Sequence, residues 1–154
     1  MKKILIFASG SGTNAENIIK YFGDRSTGTV VAVFSNNSKA TVLDKAKKLA
    51  VPTVIFSKEE LNSGNTLQKV ENFQPDLIVL AGFLLKFPEN LIEAYPNRII
   101  NIHPALLPKF GGKGMYGMHI HKAVVENKEK ETGITIHYVN ENYVHMQGYI
   151  GRSQ

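Results

Sequence analysis

Asn101 and His103 stand two residues apart in the stretch NIHPALLP (101–108), directly after the apolar RII. Alternate side chains of a strand share a face, so the amide and the imidazole should project together while Ile100 and Ile102 pack on the other side. Pro104 then ends the pairing. An imidazole with an ordinary pKa of ~6.5 exchanges protons near neutral pH. A neighbouring amide can hydrogen-bond an oxygen that turns negative as a carbonyl is attacked. The pair therefore suits acid–base chemistry at a carbonyl, and a nearby carboxylate would complete it by orienting the ring. A histidine taken alone is more often structural. What favours the chemical role of His103 is its place at the carboxyl end of a strand, outside which open α/β sheets bind their ligands.

A second constellation, SGSGTN (9–14), lies between an apolar run and a helical stretch. Glycines at 10 and 12 let the backbone approach an anion closely, and the amides at the helix start, with the Thr13 hydroxyl, can hold phosphate oxygens. Gly10, Gly12 and Ala15 also fit the loose dinucleotide pattern. The ribose-binding acid expected after the second strand is replaced by SNNS (35–38). The competing reading is a glycine turn into a helix, with no ligand. His119 and His121 form an H-x-H pair without an acid at ligand spacing, so a helix start with one exposed ring is preferred to a metal site. His137, in line with Thr135 and Val139, reads as structural. The chain contains no G-x-S-x-G elbow and no P-loop.

These residues need a frame, and the apolar runs supply one. KILIFA (3–8), VVAVFS (30–35), PTVIF (52–56), DLIVLA (76–81) and RIINI (98–102) have the length and composition of buried strands. Between them, NAENIIKYF places Ile18, Ile19 and Phe22 on one helical face, and SKATVLDKAKKLA does so with Val42, Leu43, Ala46 and Leu49. Ser57 and Glu60 predict a capping box for a third helix carrying Leu61, Leu67 and Val70. Strands alternating with helices predict a doubly wound α/β unit with a mostly parallel sheet covered on both faces. Beyond Pro104 come a glycine-rich loop, KFGGKGMYG (109–117), a short helix, HIHKAVVEN, and an alternating strand, GITIHYV (133–139). The alternation suits an antiparallel strand with one less buried face.

With 154 residues, 43% hydrophobic and 20% charged, the chain can bury one ordinary domain core. No apolar run approaches the roughly 20 residues needed to cross a bilayer, and ILIFA is too short for a secretory signal, so a cytoplasmic protein without a membrane partner is expected. The absence of cysteine excludes disulfides and thiolate chemistry and fits a reducing compartment. The formal charge of +5 is spread over scattered lysines rather than a stripe interleaved with aromatics. That argues against nucleic acid and is equally explained by a small anionic substrate.

Five motifs together, FASGSGTN, AVFSNN, PDLIVLAGF, NIHPALLPKF and GITIHYV, resemble those of the glycinamide ribonucleotide transformylases in order and approximate spacing, over residues 1 to about 143. The resemblance implies a Rossmann-like formyltransferase fold and transfer of a formyl group from 10-formyltetrahydrofolate to the amine of glycinamide ribonucleotide in purine (IMP) synthesis. It implies phosphate contacts from Gly12, Thr13 and Asn14, and a folate-holding backbone at Leu84, Leu85, Lys86 and Phe87 together with Asn101. Asn101 and His103 match the catalytic pair, and no metal is implied. Formyltetrahydrofolate hydrolase shares that pair but is expected to carry an amino-terminal regulatory domain, and methionyl-tRNA formyltransferase a carboxyl-terminal tRNA-binding domain. A further alternative is a catalytically impaired remnant that still binds its ligands.

The likeness lapses near the end. Seven residues after His137 the family places an aspartate that orients the catalytic imidazole, and here that position is Val144. The expectation is a formyltransferase domain over 1–143 and a divergent tail over 144–154, as in a truncated or frame-shifted reading, with the family's last strand and helix missing; the alternative is a natural tail that has diverged. Such a chain is expected to be a poor catalyst. Its exposed sheet edge would invite aggregation or a homodimer.

Overall fold

The computed structural model describes residues 1–103 and 135–139. In chain order they form β1 (Lys2–Phe7), α1 (Thr13–Gly23), β2 (Gly28–Ser35), α2 (Thr41–Lys48), β3 (Thr53–Ile55), α3 (Lys58–Ser63), α4 (Asn65–Phe73), β4 (Leu77–Ala81), α5 (Glu89–Ala94), β5 (Ile99–His103) and β6 (Thr135–Tyr138). The strands make one sheet in the order β3-β2-β1-β4-β5-β6. Its first five strands are parallel, and β6 runs antiparallel to β5. The doubly wound, mostly parallel α/β sheet and the antiparallel strand that alternation predicted near residue 135 are both present.

The sheet alternates because each strand must satisfy two faces. Leu5 and Phe7 of β1, with Ile78 and Leu80 of β4, pack under Leu61 of α3, Val70 of α4 and Leu91 and Ile92 of α5. Their neighbours Ile4, Ile6, Val79 and Ala81 pack on the opposite face under Ala15 and Ile19 of α1 and Val42, Leu43 and Ala46 of α2. Both faces of every central strand are thus apolar, which is why these runs show no polar alternation in the sequence.

The third helix is two. Ser57 and Glu60 form the expected capping box, with Glu60 N–H donating to Ser57 Oγ at 3.1 Å and Ser57 N–H to Glu60 Oε1 at 2.9 Å. At Gly64 the backbone turns left-handed, φ 95°, ending α3 and starting α4. No α-helix accommodates that dihedral. The apolar pattern runs through the break because Leu61, Leu67 and Val70 all face the same cluster. The structure also adds α5, which no periodicity foretold. Its six residues bury only the adjacent Leu91 and Ile92.

The expected helix at 119–127, the glycine-rich loop 109–117, His119, His121, Val144 and the tail 144–154 lie outside the described residues.

Candidate functional site

The chain leaves β1 toward β2 on one side and leaves β4 toward β5 on the other, so the strand order reverses between β1 and β4. Their carboxyl-terminal loops diverge to opposite faces and leave a crevice, the usual ligand position of an open α/β sheet. The segments that emerge there are 9–14 and 82–87, which contain two of the sequence-predicted site groups. The third, on β5, lies one strand further along the same edge.

Segment 9–14 is held by its backbone. Gly10 carbonyl accepts from Val42 N–H at 3.1 Å, fastening the loop to the start of α2, and Gly12 carbonyl accepts from Glu16 N–H at 2.8 Å as α1 begins. Gly12 is the buried N-cap of α1 with a left-handed φ of 73° and offers the helix no side-chain acceptor. The first-turn amides therefore keep their capacity for an external anion. Thr13 is exposed and Asn14 half-buried at those first helical positions.

Segment 82–87 is held by its side chains. Phe83 and Phe87 pack on Phe7 at 5.3 and 5.0 Å between ring centroids, both edge-on. Leu85 also packs against this core, whereas Leu84 and Lys86 point outward, Leu84 being 59% exposed. Among the described residues the backbone groups of Leu85, Lys86 and Phe87 make no hydrogen bond. The segment thus presents one apolar side chain and a run of peptide donors and acceptors, while Phe87, 2% exposed, serves as its anchor.

The residue that joins the two segments is Ser9, which carries no sequence signal beyond its place in SGSGTN. Ser9 N–H donates to Gly82 carbonyl at 3.1 Å. Its hydroxyl donates to Asn36 Oδ1 at 2.7 Å and accepts from Leu84 N–H at 3.0 Å. Asn36, which stands where a dinucleotide site would have its acid, is a structural acceptor here. No local pattern could have revealed a bond to a residue 75 positions away.

On β5, Ile100 and Ile102 pack against the α1/α2 cluster and Ile99 lies in the other, as the alternation of NIHPALLP required. Asn101 is half-buried, with Leu80 of β4 as its register partner on one side and His137 of β6 on the other. His103 ends the strand opposite Thr135. Among the described residues, no three His, Cys, Asp or Glu side chains gather as a metal site, and no helix is long and apolar enough to cross a membrane. The carboxyl groups held below their ordinary range stand outside the crevice. Asp76 accepts from Lys3 N–H at 2.8 Å at the amino ends of β1 and β4, and that bond is the main cause of its shift. Glu60 is lowered first by the Ser57 backbone N–H and then by Lys69.

The comparisons with known proteins agree with this arrangement. The sequence model of the formyl transferase family matches residues 2–145. The chloroplastic phosphoribosylglycinamide formyltransferase of Arabidopsis thaliana is 39% identical over 149 residues, covering 92% of this chain and 51% of that protein. The Escherichia coli phosphoribosylglycinamide formyltransferase is 34% identical over 144 residues, covering 90% of this chain and 66% of that one. The chain thus spans from about half to about two thirds of the length of these relatives. The crystal structure of glycinamide ribonucleotide transformylase 1 from Geobacillus kaustophilus superposes with a TM-score of 0.80 at 32% identity, covering 99% of this chain and 81% of that one. With a family match over nearly its whole length and the fold of a solved transformylase, the chain belongs to the formyl transferase family.

Proposed function

We propose that the chain acts as a phosphoribosylglycinamide formyltransferase, transferring the formyl group of 10-formyltetrahydrofolate to the amine of glycinamide ribonucleotide. The observation that carries this reading is the meeting of segments 9–14 and 82–87 at the reversal of strand order, one strand away from Asn101. The α1 amides with Gly12, Thr13 and Asn14 suit a phosphate. The backbone of 85–87, which makes no hydrogen bond among the described residues, suits with exposed Leu84 the hydrogen-bonding edge and apolar face of a pterin ring. These ligands set the span of the crevice, with phosphate at one end and folate at the other, and the formyl carbon falls between them toward β5.

There the amine of the ribonucleotide attacks the formyl carbon, forming a carbon–nitrogen bond and an oxyanion. Asn101 donates to that oxygen, and protonated His103 does the same. One proton leaves the attacking nitrogen and one reaches the folate nitrogen as its bond to carbon breaks, with His103 as the carrier. The products are formylated ribonucleotide and tetrahydrofolate, and the chemistry calls for no metal. Absence of cysteine suits a reducing, cytoplasmic setting.

Single-turnover mixing of the chain with 10-formyltetrahydrofolate and glycinamide ribonucleotide tests the reading. Formyl group on the ribonucleotide, formed slowly with Val144 in place of the family's aspartate, is the expected result. Formate released equally with and without ribonucleotide would mark a hydrolase, and ligand binding without either product would mark a binding remnant.

A further inference from the structure

We propose that Ser9 is a positioning residue that couples the two ligand segments, so that a phosphate-bearing ribonucleotide at 9–14 and a reduced folate at 82–87 strengthen each other's binding. The proposal rests on the functional reading above and adds to it a residue that touches neither ligand. Ser9 is 5% exposed, and it holds segment 82–87 by two bonds and the end of β2 by a third. The main-chain N–H holds Gly82, the hydroxyl proton is given to Asn36, and a hydroxyl lone pair receives Leu84 N–H.

A serine hydroxyl has one proton to give. Because Asn36 Oδ1 takes it at 2.7 Å, the lone pairs are turned toward Leu84, and Asn36 at the end of β2 sets the direction of a bond made at the end of β4. Ser9 is followed at once by Gly10, whose carbonyl is fixed to Val42. Segment 9–14 and segment 82–87 therefore meet through one buried residue, in two hydrogen bonds of which only the hydroxyl's depends on the side chain. Immobilising either one reduces the freedom left to the other, and the second ligand then has less ordering to impose.

The test compares the wild-type chain with Ser9→Ala, Ser9→Thr and Asn36→Ala. Amide hydrogen exchange in the absence of ligand reads the tie itself. Leu84 N–H should exchange about tenfold faster in Ser9→Ala, and faster also in Asn36→Ala, where Ser9 is untouched. Calorimetry with glycinamide ribonucleotide and tetrahydrofolate, a pair that cannot react, reads the coupling. In the wild type each ligand should tighten the other roughly fivefold; in Ser9→Ala, which keeps only the main-chain bond to Gly82, that factor should fall to about two or less, and Ser9→Thr, which keeps the hydroxyl, should restore it. Unchanged Leu84 exchange in both Ser9→Ala and Asn36→Ala, or an equal coupling factor in wild type and Ser9→Ala, would overturn the proposal. A wild-type chain that binds neither ligand would overturn the functional reading instead. A failure of the coupling alone differs, since both ligands then bind and neither alters the other.

Discussion

Val42 occupies the space that any side chain on Gly12 would need. A Cβ built on Gly12 would lie 2.9 Å from Val42 Cα and closer still to the Val42 side chain, at a backbone φ of 73° that non-glycine residues rarely adopt. Gly12→Ala should therefore destabilise the fold by about 1–3 kcal/mol, through the α1/α2 contact as much as through the loop. Gly10 has nothing within 4 Å of its own hypothetical Cβ, so Gly10→Ala should change stability by no more than about 0.5 kcal/mol. Thermal denaturation of the two variants beside ribonucleotide titrations separates the roles. Loss of affinity in Gly10→Ala at unchanged Tm would reflect the anion site, whereas loss in Gly12→Ala mixes binding with folding.

The residues of 84–87 should divide in the same way. Phe87→Ala removes a ring packed 5.0 Å from Phe7 at 89° and should cost about 3–5 kcal/mol. Leu84→Ala trims an exposed side chain and should leave stability within about 0.5 kcal/mol while weakening folate binding several-fold. Denaturant midpoints and folate titrations on both variants check this. A folate affinity untouched by Leu84→Ala would place the pterin elsewhere.

In a version extended by the family's carboxyl-terminal segment, His103→Ala should lower turnover by about 10²-fold or more while ribonucleotide affinity is kept, the pattern of a lost proton carrier. Asn101→Ala should show the same split between kcat and binding, on the scale of one missing oxyanion donor, about 10²–10³-fold. Steady-state kinetics with separate binding measurements decides the matter. A fall in Tm and affinity instead of kcat would make either residue a structural one.

Acid should weaken the start of α3. The Glu60 carboxyl is held below its ordinary range by Ser57 N–H and Lys69, so its ionised form favours the folded chain. That contribution is complete above the ordinary carboxylate range and fades as pH falls through the lowered folded value. The stability difference between wild type and Glu60→Gln, measured by denaturation across a pH series, should thus be present at neutral pH and vanish in acid. Ser57→Ala removes the cap itself and should cost about 1 kcal/mol at neutral pH.

Much of this architecture is written locally. The strands around Leu5, Val33 and Val79 are apolar on both faces, and the Ser57–Glu60 box is a short-range signal, so both are legible before any fold is known. Gly64 was hidden because helices on either side of it bury residues on one common face, and the pattern keeps its period across the break. The α5 segment was hidden for the opposite reason, being too short to show a period. Asn101 is proposed for the candidate site from its spacing to His103, and Gly12 from its place before a helix, both of them local signals. Ser9 and Asn36 have none, because their roles consist of bonds across the sheet edge, and nothing in SGSGTN or SNNS encodes what stands opposite.

The pairing of β5 with β6 also bears on the order in which the chain assembles. Asn101 lies on a strand whose inner edge is satisfied by β4, already made when β5 emerges from the ribosome, but whose outer edge waits for residues 135–139. Until that later segment arrives, the backbone donors and acceptors along the outer side of Ile99–His103 face solvent or any other extended chain. Among the described residues, the strand that carries Asn101 is therefore the interior strand whose second edge is covered last in chain order, two strands away from β1 and the segment 9–14 that follows it.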